Sequence, residues 1–192
     1  MIKQSNKAFS APQNESIYRS FISFKTQQID TMKNSNTRAQ ALAERLLMGA
    51  NNLADFVERL SEEEWAKPVT GDGRTIGVVV HHVASVYPIE VELAQALGKG
   101  NSITEVSKRV VDEMNANHAI ENKLVTKQEA LELLKYNSDK AAKAIGEFTD
   151  EELDNAAPIS LYFDAPLTAQ FFIEDHALRH SFHHLGKIKA SL

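Results

Sequence analysis

Cysteine is absent from the 192 residues, which excludes disulfides, thiolate metal ligands and a cysteine nucleophile together. Any metal the chain holds must therefore sit on nitrogen and oxygen. Basic residues are also in deficit: 21 Lys and Arg against 26 Asp and Glu leave a formal net charge of -5. A nucleic-acid binder carries the opposite imbalance on one face, so no nucleic-acid partner is expected. Long apolar runs are missing too. The most apolar stretch opens at Ile76–Val80 and is interrupted by His81 and His82, well short of the about 20 residues a bilayer span needs. The N-terminus lacks the apolar core of a secretory signal. It also lacks the arginine enrichment of an organelle transit peptide, since Arg19 alone precedes Arg38. A cytoplasmic chain with no membrane partner is the expectation. Only 8 Gly and 5 Pro are present, a globular rather than low-complexity usage, and the length favours one domain.

The opening segment "MIKQSNKAFSAPQNESIYRSFISFKTQQID" is rich in Ser, Asn and Gln and has no sustained helical period beyond the patch "IYRSFISF". Residues 1–33 therefore read as a flexible N-terminal extension, either a tail with a short docking helix or sequence upstream of a true start at Met32. Residues 34–192 read as one helical bundle domain.

In that region Ala39, Leu42, Leu46, Leu53, Phe56, Val57 and Leu60 recur at helical spacing and make one apolar face. Thr75 is placed to cap a second helix, "IGVVVHHVASVYPIEVELAQAL", apolar almost all round and so the most buried. Pro88 predicts a kink in it, because proline removes one ladder donor and clashes with the preceding turn. Capping boxes are expected at Ser61 with Glu64, Ser102 with Glu105, Thr126 with Glu129 and Thr149 with Glu152. The second and third should open helices of about 20 residues each. "NAAPISLYFDAP" reads as an irregular loop or short extended stretch, after which Leu167 or Thr168 starts a last helix running to the end. The sum is an all-α chain of four long helices with minor ones, a helical bundle.

Seven histidines are present, and four fall in nine residues of the last helix, "HALRHSFHH". Positions four apart on a helix lie about 40° from each other. His176, His180 and His184 should thus form a drifting row with His183 beside it. An i, i+4 pair such as His180 and His184 can reach one ion, as in HExxH, but the glutamate of that motif is missing. A third ligand must come from another helix, and "VVVHHVAS" offers His81 or His82, where an unpartnered ring among apolar residues would cost a few kcal/mol. Three neutral imidazoles suit Zn, Ni or Fe and leave positions open. His118 completes the set. It and His176 suit roles in orienting a ligand or touching a substrate, and Asn115 shares a helix face with His118. Acid or base candidates are Glu90, Glu174, Asp175 and His118. For Glu90 the competing reading is a place on the polar side of a helix end.

"TIGVVVHHVAS" and "RHSFHHLGKI" together resemble the second-helix and terminal H-x-x-H-H motifs of the DinB/YfiT-like superfamily, over a range from about Asn36 to the end. The resemblance implies an up-down-down-up four-helix bundle and assigns three metal ligands to His82, His180 and His184. His81 is then the lesser partner of its pair and His183 an additional histidine. Lys187 stands where relatives carry Gln or His. Chemistry in the superfamily includes transfer or isomerisation with low-molecular-weight thiols, and hydrolysis, and the resemblance also implies a homodimer. With no cysteine of its own, the chain would need a small thiol cosubstrate for thiol transfer and water for hydrolysis, acting on a small-molecule substrate. The alternatives are a non-catalytic metal- or ligand-binding bundle, and a metal-free bundle whose stacked histidines charge below about pH 6.5.

Overall fold

The computed structural model describes residues 38–192. The extension expected at 1–33 lies outside the described residues. Helix α1 occupies 38–58 and buries Ala39, Leu42, Leu46, Leu53 and Val57, while Phe56 is half-buried. The one-residue-in-three-or-four rhythm of its sequence thus supplies one wall of the core. A single turn, α2 (Glu62–Trp65), follows with the expected Ser61–Glu64 capping box. Its Trp65 Nε1 donates to the Val125 carbonyl at 3.2 Å.

Helix α3 (Ile76–Gly98) is capped by Thr75 and runs through the centre of the core. It is long and apolar enough to cross a membrane by length and composition alone, and its burial among the other helices accounts for that apolarity. Gly77 is required by a close approach: a Cβ there would sit 2.6 Å from Trp65 Nε1. Pro88 leaves the helix unbroken. The carbonyl it deprives of a donor, that of Ala84 four residues back, accepts from buried Asn137 Nδ2 at 2.9 Å. A side chain from the neighbouring helix thereby replaces the missing ladder bond.

That neighbour is α5 (Lys127–Gly146), opened by the expected Thr126–Glu129 box and packed along α3. Helix α4 (Lys108–Glu121) differs from expectation. It is 14 residues long and capped by Ser107, not Ser102. Ile103 is instead tied to the next strand, donating to the Pro158 carbonyl and accepting from Ser160 N, so the backbone around Ser102 is extended and cannot start a helix. None of α4 is buried. After α6 (Asp150–Asp154), with its Thr149–Glu152 box, two short strands form an antiparallel hairpin, β1 (Ala156–Ile159) and β2 (Ala165–Thr168), paired Ala156 with Thr168 through Ile159 with Ala165. The stretch read as loop or extended is this hairpin. Its turn holds Phe163 and Asp164 at left-handed φ of 57° and 60°.

Thr168 caps the last helical run, one of the two starts expected. The run is not uniform: α7 (Ala169–Phe172) passes into a π-helical segment, Ile173–Leu178, and then α8 (Arg179–Lys189). Together α1, α3, α5 and this terminal run form the four-helix bundle, with α4 and the hairpin appended beside it. Inside, Tyr87 Oη and Ser181 Oγ share a buried 2.5 Å hydrogen bond that ties α3 to α8.

Candidate metal centre

Three imidazoles converge where α3 meets α8. His82 comes from the buried face of α3, and His180 and His184 lie one turn apart on α8, with their rings stacked at 4.9 Å between centroids. One ligand atom from each lies within 4.8 Å of the others. His180 Nε2 and His82 Nε2 are 3.2 Å apart, close to the about 3.3 Å separating two nitrogens that share a tetrahedral ion at 2.0–2.1 Å. The other nitrogen of His180, Nδ1, is 2.7 Å from Glu90 Oε1. A carboxylate there holds the proton on Nδ1 and leaves Nε2 a lone pair directed toward His82, the arrangement that orients metal-ligating histidines. Glu90 is buried, so it is not on the polar side of a helix end.

The cluster is under-satisfied as a purely organic site. Among the described residues, the buried polar atoms lacking a hydrogen-bond partner include His184 Nδ1, His118 Nδ1, Glu90 Oε2 and Arg74 Nη1, and native interiors rarely tolerate several such orphans together. Burial also favours the neutral form of two of the rings, His82 and His184. It pushes the His82 pKa far down, helped by the neighbouring His180, and that of His184 down to about 3. Neutral imidazole is the ligating form. Donor type, spacing and protonation therefore fit a divalent ion that accepts nitrogen.

The remaining histidines divide into two groups. His176 lines the cavity in front of the cluster. It stacks on Phe172 at 4.3 Å, and its Nε2 is 2.9 Å from Tyr162 Oη. The Tyr162 hydroxyl donates to Asp175, so its single proton is committed and His176 Nε2–H donates to it, leaving Nδ1 as a lone pair. Asp175 is further held by Arg179 Nε at 2.9 Å, which makes it an anchor for Tyr162 rather than a cavity residue. On the other side of α3, His81 Nδ1 and His118 Nε2 pair at 2.8 Å with stacked rings. His118 touches the cluster only edge-on to His82, at 5.6 Å between centroids, and burial lowers its pKa to about 4. His183 is exposed and packs edge-on against His184, with 5.2 Å between ring centroids. Glu174 pairs with Arg45 at 3.0 Å outside the cavity. Asn115 lines the cavity from α4.

The cavity has a volume of about 380 Å³, is open at one side, and is lined by residues of α3, α4, the hairpin and the terminal helix. Two lining residues were not singled out from the sequence. Asp72 and Arg74 lie in the loop before α3, where Gly71 and Gly73 at φ 75° and 85° fold it back. Arg74 Nε and Nη2 contact the two oxygens of Asp72 at 2.6 and 2.8 Å, and the guanidinium holds the Asp72 carboxyl down at about 2. The positive φ values demanded by "GDG" were the available clue. Tyr162, in a segment read as loop, gave none.

The family model described as the DinB superfamily matches residues 45–188. No curated protein matches the chain. Among solved structures the chain is similar to YfiT from Bacillus subtilis, described as a probable metal-dependent hydrolase with an unusual four-helix bundle topology. The two are 16% identical with a TM-score of 0.63, over 79% of this chain and 84% of that one. At that identity the likeness shows the fold.

Proposed function

The chain belongs to the DinB superfamily, and from that premise we propose that His82, His180 and His184 hold one divalent metal ion in a small-molecule enzyme, a hydrolase or a thiol transferase. The observation that carries the reading is the convergence of three imidazole donors within 4.8 Å of one another at the end of a cavity large enough for a small ligand. Bound there, a divalent ion supplies Lewis-acid activation, lowering the pKa of water or of a low-molecular-weight thiol so that a nucleophile exists at neutral pH.

The protein's own residues do the rest. Glu90 keeps His180 in the tautomer with Nε2 free. The apolar walls exclude water and strengthen the electrostatic interactions at the polar end. His176, fixed by Tyr162 and Phe172, turns its Nδ1 lone pair into the role of proton acceptor beside the cluster. His118 packs edge-on against His82, with His81 stacked on His118; Glu174 and Asp175 act only through the partners they hold.

The test is a panel of ester, amide and thiol-conjugation substrates offered to metal-loaded and chelator-treated protein. Turnover that disappears both on chelation and in His184→Ala supports the reading. Silence across the panel from protein that binds metal tightly would make the chain a metal-holding bundle without catalysis.

A further inference from the structure

The cavity in front of the histidines has two unlike ends, and its contents can be read from them. One wall is Val86, Ile89 and Leu93 of α3, and the facing wall is Val110, Val111 and Met114 of α4. Helix α4 has no buried residue, and at the mouth Ile89 and Met114 are 42% and 48% exposed. The apolar face of α4 therefore meets the cavity, not the protein, although an amphipathic helix is held in place mainly by burying that face.

The other end carries Arg74 and Lys187 as its cations and Asp72 and Glu90 as its acids. Asp72 is held by Arg74 through both oxygens, and Glu90 is held by His180 through Oε1, its Oε2 being without a partner among the described residues. Arg74 is oriented by Asp72 through Nε and Nη2, while its Nη1 is buried without a partner among the described residues. A guanidinium pinned along one edge with a second edge unsatisfied is a receptor for an oxyanion.

We propose that this cavity takes a single-chain amphiphile, its apolar chain seated between α3 and α4 and its oxyanion head, carboxylate or phosphate, at Arg74 and Lys187 beside the histidines. The chain supplies the apolar surface that α4 lacks, and the head lies within reach of the candidate metal centre. This deepens the function proposed above and rests on it for the reaction, but not for the binding.

The test is calorimetric titration of the full chain, metal-loaded and chelator-treated, with butanoate, hexanoate, octanoate, decanoate and dodecanoate, and with the matched alkanols and alkyl phosphates. Affinity should rise about fourfold per added methylene until the cavity is full. The anionic heads should exceed the alkanols by about tenfold or more, and the carboxylate and phosphate arms show which oxyanion is preferred. Arg74→Gln should erase the anion advantage and keep the chain-length slope. Arg74→Lys should retain part of the advantage, and Met114→Asn should flatten the slope alone, with circular dichroism verifying each fold. Equal binding of anion and alkanol by the native chain, or no chain-length slope in either metal state, would overturn the proposal. Slope and Arg74 dependence that persist in a protein shown to bind no metal would uphold it while refuting the metal centre.

Discussion

Glu90 offers the sharpest perturbation, because its contact with His180 predicts a graded effect on metal affinity. The two atoms are 2.7 Å apart, and the side chains are only 8% and 17% exposed, so solvent screening is weak. Glu90→Gln keeps the volume and an acceptor oxygen but removes the charge. A hydrogen bond to a charged group contributes about 1.5–3 kcal/mol and a neutral one about 0.5–1.5, so the substitution forfeits about 1–1.5 kcal/mol, close to tenfold in affinity. Glu90→Ala leaves Nδ1–H of His180 unpartnered inside the protein and should reach the upper part of the 10–100-fold range for partners of metal-ligating histidines. Competition against a chromophoric chelator at pH 7.5 reads both, with His184→Ala as the non-binding reference. Native affinity within twofold in both Glu90 variants would refute the claim that this carboxylate orients the ligand set.

Asn137→Leu should cost about 1–3 kcal/mol, because the Ala84 carbonyl opposite Pro88 loses its donor. In a Pro88→Ala background the helix supplies that donor and the same change should be nearly neutral; urea denaturation of the double-mutant cycle checks the difference, and equal losses in both backgrounds would contradict it. Acid should destabilise the metal-free protein, since His184 is held near a pKa of about 3 in the fold and returns to about 6.5 when unfolded. The unfolded chain then binds more protons between those values. Its contribution is fully present above pH 6.5 and falls by up to about 1.4 kcal/mol per pH unit as pH drops toward 3; urea midpoints at pH 7.5, 6 and 5 measure it, and a flat profile would mean the ring is not buried neutral.

Much of this was legible in the sequence for definite reasons. His180 and His184 lie on one helix face by spacing alone, and His82 stands out because an imidazole in an apolar helix needs a partner. Three of four capping boxes form, as does the Thr75 cap. The Ser102 box fails because a motif reports only local preference, and the pairing of Ile103 with the hairpin overrides it. The π-helical segment at Ile173–Leu178 was invisible, since a residue inserted into the helical period leaves no mark in composition. It separates His176 from the regular helix that carries His180, His183 and His184. Asn137 gave no sign of serving Ala84, nor Arg74 of facing the histidines, because both roles exist only once distant segments meet.

The central claim is a single ion on three imidazoles, and it is tested most directly by elemental analysis combined with X-ray absorption at the metal edge on the purified full chain. The account predicts about one divalent ion per chain, with three nitrogen neighbours at about 2.0–2.1 Å if it is zinc, and loss of the ion in a His180→Ala, His184→Ala double variant. Protein that takes up no ion even on reconstitution, or an ion that survives in the double variant, would contradict it.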